Sequence, residues 1–130
     1  MYTAMELIIG GRNQGKLQYA MQQCGVMENE VQEDCDGNLR VLNHLQRLVH
    51  EMLCVERMTE KDIAARVFDY VERVPGCIVI CDEIGGGLVP MEAEERIYRE
   101  ITGRICCQLA ARADTVHRVI CGIGMVIKGA

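Results

Sequence analysis

The sequence contains no tryptophan, one phenylalanine and four tyrosines. So few rings exclude a stacking platform for single-stranded bases, where successive bases lie on aromatic side chains. Positive charge is also in deficit: 14 Lys and Arg stand against 19 Asp and Glu, a net charge of −5. A broad nucleic-acid or acidic-membrane partner would need a basic face. No apolar run approaches the about 18 residues of a membrane-spanning helix. The N-terminus enters an apolar run of only a few residues, which is no secretory leader. These absences predict a cytoplasmic protein with no membrane span and no nucleic-acid partner.

Cysteine is plentiful, and what is missing is a pattern. The eight are Cys24, Cys35, Cys54, Cys77, Cys81, Cys106, Cys107 and Cys121. No two have C-x-x-C spacing, and no zinc-finger or zinc-ribbon layout is present. Most lie in apolar runs such as "CIVIC" (77–81), where a free Cys acts as a small hydrophobe. The expectation is reduced thiols, with no metal assigned to them by spacing. Histidine is equally uninformative. His44 and His50 are six apart on a predicted helix and do not share a face; His117 opens a strand. No acid or nucleophile pattern surrounds any of the three, so each reads as a surface or capping residue.

About half of the residues are apolar (49%) and a quarter charged (25%), which suits one soluble domain spanning residues 1–130. Met5 to Ile9 is a short apolar run ending at Gly-Gly, as a buried parallel strand would. Residues 15–24 have helical composition, and Gly25 ends that helix. Residues 26–38 are polar and acidic and read as a loop or a short edge element. From Leu39 a helical period runs through Leu42, Leu45, Leu48, Met52 and Leu53. A further helix begins near Thr59, with "TEKD" as its capping start, and Pro75-Gly76 stops it. "CIVIC" is a second buried strand. The longest helix is predicted over about 91–112, with Gly103 inside it at a point of close packing. "HRVIC" (117–121) is a third strand, and 125–128 add a fourth at an edge. Strands alternating with helices predict an α/β fold with a mainly parallel sheet.

Two stretches carry chemistry. "LIIGGRNQGKLQ" (7–18) places G-x-x-x-x-G-K between a strand and a helix, the context of a phosphate-binding P-loop. Gly10, Gly11, Arg12, Asn13, Gln14 and Gly15 would wrap backbone amides around phosphate oxygens. Lys16 would reach the terminal phosphates. The next position, Ser or Thr in working loops, is Leu17, which has no oxygen to offer Mg²⁺. The plain alternative is a tight strand-to-helix turn that contains Gly and Lys by chance. "CIVICDEIGGG" then sets Asp82 and Glu83 at a strand's carboxyl end, where such sheets bind ligands. Either acid would hold Mg²⁺, directly or through water, or orient a substrate hydroxyl, unless it only caps the next turn. Gly85, Gly86 and Gly87 would let a ligand approach the backbone closely.

The segment "CDEIGGGLVPMEAEERIYREITGRICCQLAARADTVHRVICGIGMVIKG" resembles the end of the bifunctional cobinamide kinase and cobinamide-phosphate guanylyltransferase family. Glu83, Gly85, Gly87, Val89 and Pro90 match that family's N-E-V-G-x-G-I-V-P. Arg96, Tyr98, Arg99, Glu100, Gly103, Arg104, Gln108, Leu109, Ala110, Ala113 and Asp114 match its R-x-[FY]-R-[DE]-x-x-G-R-x-N-Q-x-L-A-x-x-A-D. "GGRNQGK" is similar to its G-G-x-R-S-G-K-S. Leu17, Asp82 and Cys107 depart from the family's Ser, Asn and Asn.

The resemblance implies a P-loop, RecA-like fold, reduced in size, and a homo-oligomer, trimeric by analogy. It implies a kinase that phosphorylates the hydroxyl of adenosylcobinamide with ATP or GTP and Mg²⁺. In that reading Lys16, Glu83 and Asp82 are catalytic. Asp82, and Asp34 through a looser match of "EDCDGNLRVLNHL" to the family's V-D-C-L-T, would be linked to the metal. No counterpart of the family's guanylyl-accepting histidine is found, which implies loss of the guanylyltransferase half-reaction. A relative that only binds nucleotide or corrinoid, or serves assembly, is the alternative. An unrelated small P-loop nucleotidase would leave the C-terminal match unexplained.

Overall fold

A computed structural model of the chain describes residues 4–84 and 92–129. Six strands form one sheet. In chain order the elements are β1 (Met5–Gly10), α1 (Lys16–Cys24), a 3-10 turn (Glu28–Glu30), β2 (Val31–Gln32), β3 (Val41–Leu42), α2 (Leu45–Cys54), α3 (Glu60–Arg73), β4 (Cys77–Asp82), α4 (Ala93–Arg112), β5 (Thr115–Ile120) and β6 (Ile123–Lys128). The sheet order is β2-β3-β4-β1-β5-β6. All neighbours are parallel except β5 and β6, an antiparallel pair at the edge. This is the α/β fold of the P-loop class.

Helices cover both faces of the sheet. On one face α2, α3 and α4 bury Leu45, Val49, Ile63, Val67, Ile105 and Leu109 against Leu7, Val79 and Val116. On the other, α1 and the segment after it cover Ile8, Ile78, Ile80 and Val119. A strand covered on both faces has no polar side, which is why "CIVIC" is apolar throughout. Its five residues are at most 1% exposed.

Most element expectations hold. The edge segment contains β2, and β6 is the edge strand expected near 125–128, although it begins at Ile123. The helical period drawn from Leu39 does not. Val41 and Leu42 are strand β3, paired in parallel with Ile78 and Val79, and α2 begins only at Leu45. Asn43 and His44 lie between, and His44 has φ 56, a left-handed turn that breaks the chain direction. A fully buried two-residue strand and a helix leave the same apolar spacing, so periodicity alone could not separate them. Gly103 also differs from expectation: a Cβ there would meet nothing within 4 Å, so its place in α4 is not a close contact. The run Gly85–Gly87 lies outside the described residues.

Candidate active site

The carboxyl ends of β1 and β4 lie side by side, with Gly10 paired to Asp82. The chain leaves β1 at Gly10 and turns through 11–15 into α1. Gly10 has to be glycine, because a Cβ there would sit 2.4 Å from the carbonyl oxygen of Val119. Asn13 (φ 59) and Gly15 (φ 84) are both left-handed, which curls the loop back on itself. Gln14 pins it to the β5–β6 turn. Its carbonyl accepts from the Gly122 amide at 2.8 Å, and its side-chain Oε1 accepts from the Cys121 amide at 2.7 Å.

Helix α1 starts at Lys16 with no side-chain cap and no acid in its first turn. Its first amides and the positive end of its dipole therefore face the loop without a built-in anion. Lys16 is 7% exposed, and its ammonium donates to the Gly11 carbonyl at 2.7 Å. The same nitrogen lies 2.7 Å from Asp82 Oδ1. Gln46 sets Asp82 in turn, its Oε1 accepting from the Asp82 amide at 3.0 Å. A cleft of about 230 Å³ opens over this loop, lined by residues 12–18 with Asn43, His44, Arg47 and Asp82. Its floor is helix N-terminus, lysine and glycine backbone; one wall adds Arg47. That arrangement suits a polyphosphate.

The expected site residues separate into three places. Gly10 to Leu17 and Asp82 come together in and around the cleft. Glu83, one residue further along, turns to the opposite face of the sheet. There its two oxygens accept from Nε and Nη2 of Arg118, at 2.8 and 3.2 Å. It lines a smaller cavity of about 150 Å³ with Ile9, Asp82, Ile84, Thr102, Gly103 and Cys106, so Asp82 borders both spaces. Asp34 stands apart. Its Oδ1 accepts from the amides of Asp36 and Gly37, closing its own turn, and it does not line the cleft. Leu17 does line the cleft and brings no oxygen to it.

Sequence reasoning missed the far wall. His44 is at the cap position of α2 and lines the cleft, as do Asn43 and Arg47. A Pro-free "NHLQR" offers no signal for this, since the wall exists only because β3 ends there. His117 was expected at a strand's start and at the surface. It is the third residue of β5 and 7% exposed.

No helix among the described residues is long and apolar enough to cross a membrane. The sequence profile of the cobinamide kinase / cobinamide phosphate guanyltransferase family matches residues 26–127. Two relatives are the bifunctional adenosylcobalamin biosynthesis proteins CobU of Salmonella typhimurium strain LT2 and of Escherichia coli strain K12. Each is 43% identical over 58 residues, which is 44% of this chain and 32% of the relative. The aligned part thus spans about a third of those proteins. The family match begins after the phosphate loop, so the loop stands on its geometry; with 26–127 matched, the chain belongs to the cobinamide kinase / cobinamide phosphate guanyltransferase family.

Proposed function

We propose that this chain is a nucleotide-binding, cobinamide kinase-like protein of adenosylcobalamin biosynthesis. The observation that carries the reading is the pairing of Lys16 with Asp82 over an uncapped helix N-terminus, at the carboxyl ends of parallel strands. ATP or GTP would lay its phosphates along 11–15. Its β- and γ-phosphates would draw Lys16 away from Asp82 and the Gly11 carbonyl. Asp82 is then the one carboxylate beside the phosphates among the described cleft-lining residues. Mg²⁺ commonly binds through one or two carboxylates together with phosphate oxygens and water, so this donor set fits it. When bound, the ion would offset the charge that develops on the phosphates.

The hydroxyl of adenosylcobinamide is the proposed acceptor. Its oxygen would bond to the γ-phosphorus as the bond from that phosphorus to the β–γ bridging oxygen breaks; the nucleoside diphosphate would leave with that oxygen, the hydroxyl proton would pass to water, and catalysis would be mainly positioning and charge neutralisation. Glu83 is proposed to orient that hydroxyl from the cavity that shares Asp82, after giving up part of its contact with Arg118. Asp34, which closes its own turn away from the cleft lining, is given no part in holding the metal. Guanylyl transfer is proposed to be lost, because no residue here carries the pattern of the family's acceptor histidine. A homo-oligomer, trimeric by resemblance, is proposed for the assembly, which would cover the exposed Ile123, Met125 and Ile127 of β6.

One observation favours a second reading, a relative that binds without turnover: Leu17 lines the cleft where a metal-holding hydroxyl would stand. Transfer of labelled γ-phosphate to adenosylcobinamide separates the two. The kinase reading expects labelled cobinamide phosphate from the wild type and none from Lys16→Ala, with no guanylylated product. A wild type that binds nucleotide yet transfers nothing would leave the binding reading standing.

A further inference from the structure

Below the phosphate loop, on the same face of the sheet, a polar group interrupts an otherwise apolar layer. Ile8 pairs with His117 and Glu6 with Thr115, so Glu6 and His117 are diagonal neighbours under α1. The Nε2 of His117 lies 3.1 Å from Glu6 Oε1. Its Nδ1 lies 2.8 Å from the hydroxyl of Tyr19, on α1. Cys24, the last residue of α1, directs its thiol at Glu6. One ligand atom each from Glu6, Cys24 and His117 falls within 4.8 Å of the others. The imidazole is 8% exposed and the Glu6 side chain 31%, so the group is sheltered but reachable.

We propose that Glu6, Cys24 and His117 bind a divalent cation of the zinc class, with water in the fourth position. The donor set is one carboxylate oxygen, one imidazole nitrogen and one thiolate sulfur, which suits a borderline-soft ion. Tetrahedral bonds of about 2.0–2.3 Å put ligand atoms about 3.3–3.6 Å apart. The Glu6–His117 separation is already close to that, and the Cys24 sulfur lies within 4.8 Å of both ligand atoms. Tyr19 fixes the ring through the other nitrogen, as outer partners of metal-bound histidines do.

Ligands drawn from β1, β5 and the end of α1 would lock the helix that carries the phosphate loop onto the sheet. Sequence spacing could not show this site, because its three residues are 6, 24 and 117 and meet only through strand pairing and the packing of α1 on the sheet.

The test is titration of the reduced wild-type protein with Zn²⁺ alone, against a chromophoric chelator, followed by Co²⁺ substitution. The expected result is one equivalent of Zn²⁺ and a thiolate-to-cobalt charge-transfer band. Cys24→Ser should abolish that band, and Cys24→Ser and Glu6→Gln should each weaken Zn²⁺ by more than about 10-fold; Tyr19→Phe should weaken it by about 10-fold with the band retained. Both ligand variants are at partly exposed positions and their fold is checked by far-UV circular dichroism. The exposed-cysteine variants Cys107→Ser and Cys121→Ser should bind as the wild type does. No Zn²⁺ binding by the folded wild type would overturn the proposal. So would binding and a charge-transfer band unchanged in Cys24→Ser, which would place the metal on other thiols.

Discussion

The ion pair of Lys16 and Asp82 sets what the site can do in its nucleotide-free state. The Lys16 ammonium, on a residue 7% exposed, is faced by Asp82 and one carbonyl. Removing one partner of a buried pair leaves an uncompensated charge. Asp82→Asn is therefore expected to lower stability by about 3 kcal/mol, read as a shift of the urea midpoint. It should not abolish Mg²⁺-free nucleotide binding, because Lys16 is then unopposed; loss of that binding would mean Asp82 holds the loop shape. Leu17→Ser tests the missing oxygen. It should make nucleotide affinity depend on Mg²⁺ by about 10-fold more than in the wild type, at a small cost in stability, in calorimetric titrations with and without the ion. The loop was legible at this scale because glycines and a lysine at fixed spacing mark it. The opposite fates of Asp82 and Glu83 were also implicit, since neighbouring residues at a strand end point to opposite faces. That Arg118 would take Glu83 was not legible: the two are 35 residues apart and adjoin only through β1, which lies between their strands.

Elements, more than single residues, decide where the cleft opens. β1 ends against β4 and β5, where Gly10 pairs with Asp82 of one and Val119 of the other. Gly10→Ala would drive a methyl group into the Val119 carbonyl. The expected loss is about 1–3 kcal/mol in urea unfolding, together with weakened nucleotide binding, because the loop begins there. Wild-type stability in that variant would contradict the packing described. β1, β4, α1 and α3 were readable from length, period and caps; Thr59 caps α3 as "TEKD" suggests, its hydroxyl accepting from the Asp62 amide at 3.2 Å. β3 was not, because Val41 and Leu42 owe their strand to pairing with Ile78 and Val79 rather than to any local preference. With β3 went His44, Asn43 and Arg47, so the far wall of the cleft could not be foreseen.

For the whole molecule, burial of thiols in the core layer on one face of the sheet ties stability to pH. Burial pushes Cys35 and Cys77 from an ordinary 9.0 up to about 11. Between those values the unfolded chain has released protons that the native chain still holds. Stability is thus full below about pH 9 and falls as pH rises towards 11. Urea midpoints measured from pH 8 to 11 should decline over that window, and Cys77→Ala should reduce the slope.

The function proposed for the site requires that the loop at 10–17 bind a nucleoside triphosphate through Lys16. The decisive experiment is calorimetric titration of the folded protein with GTP and ATP, beside Lys16→Ala. Micromolar binding is expected of the wild type, with at least about a 10-fold loss in the variant, which has no ammonium to meet the phosphates. No binding of either nucleotide, or equal binding by Lys16→Ala, would contradict it.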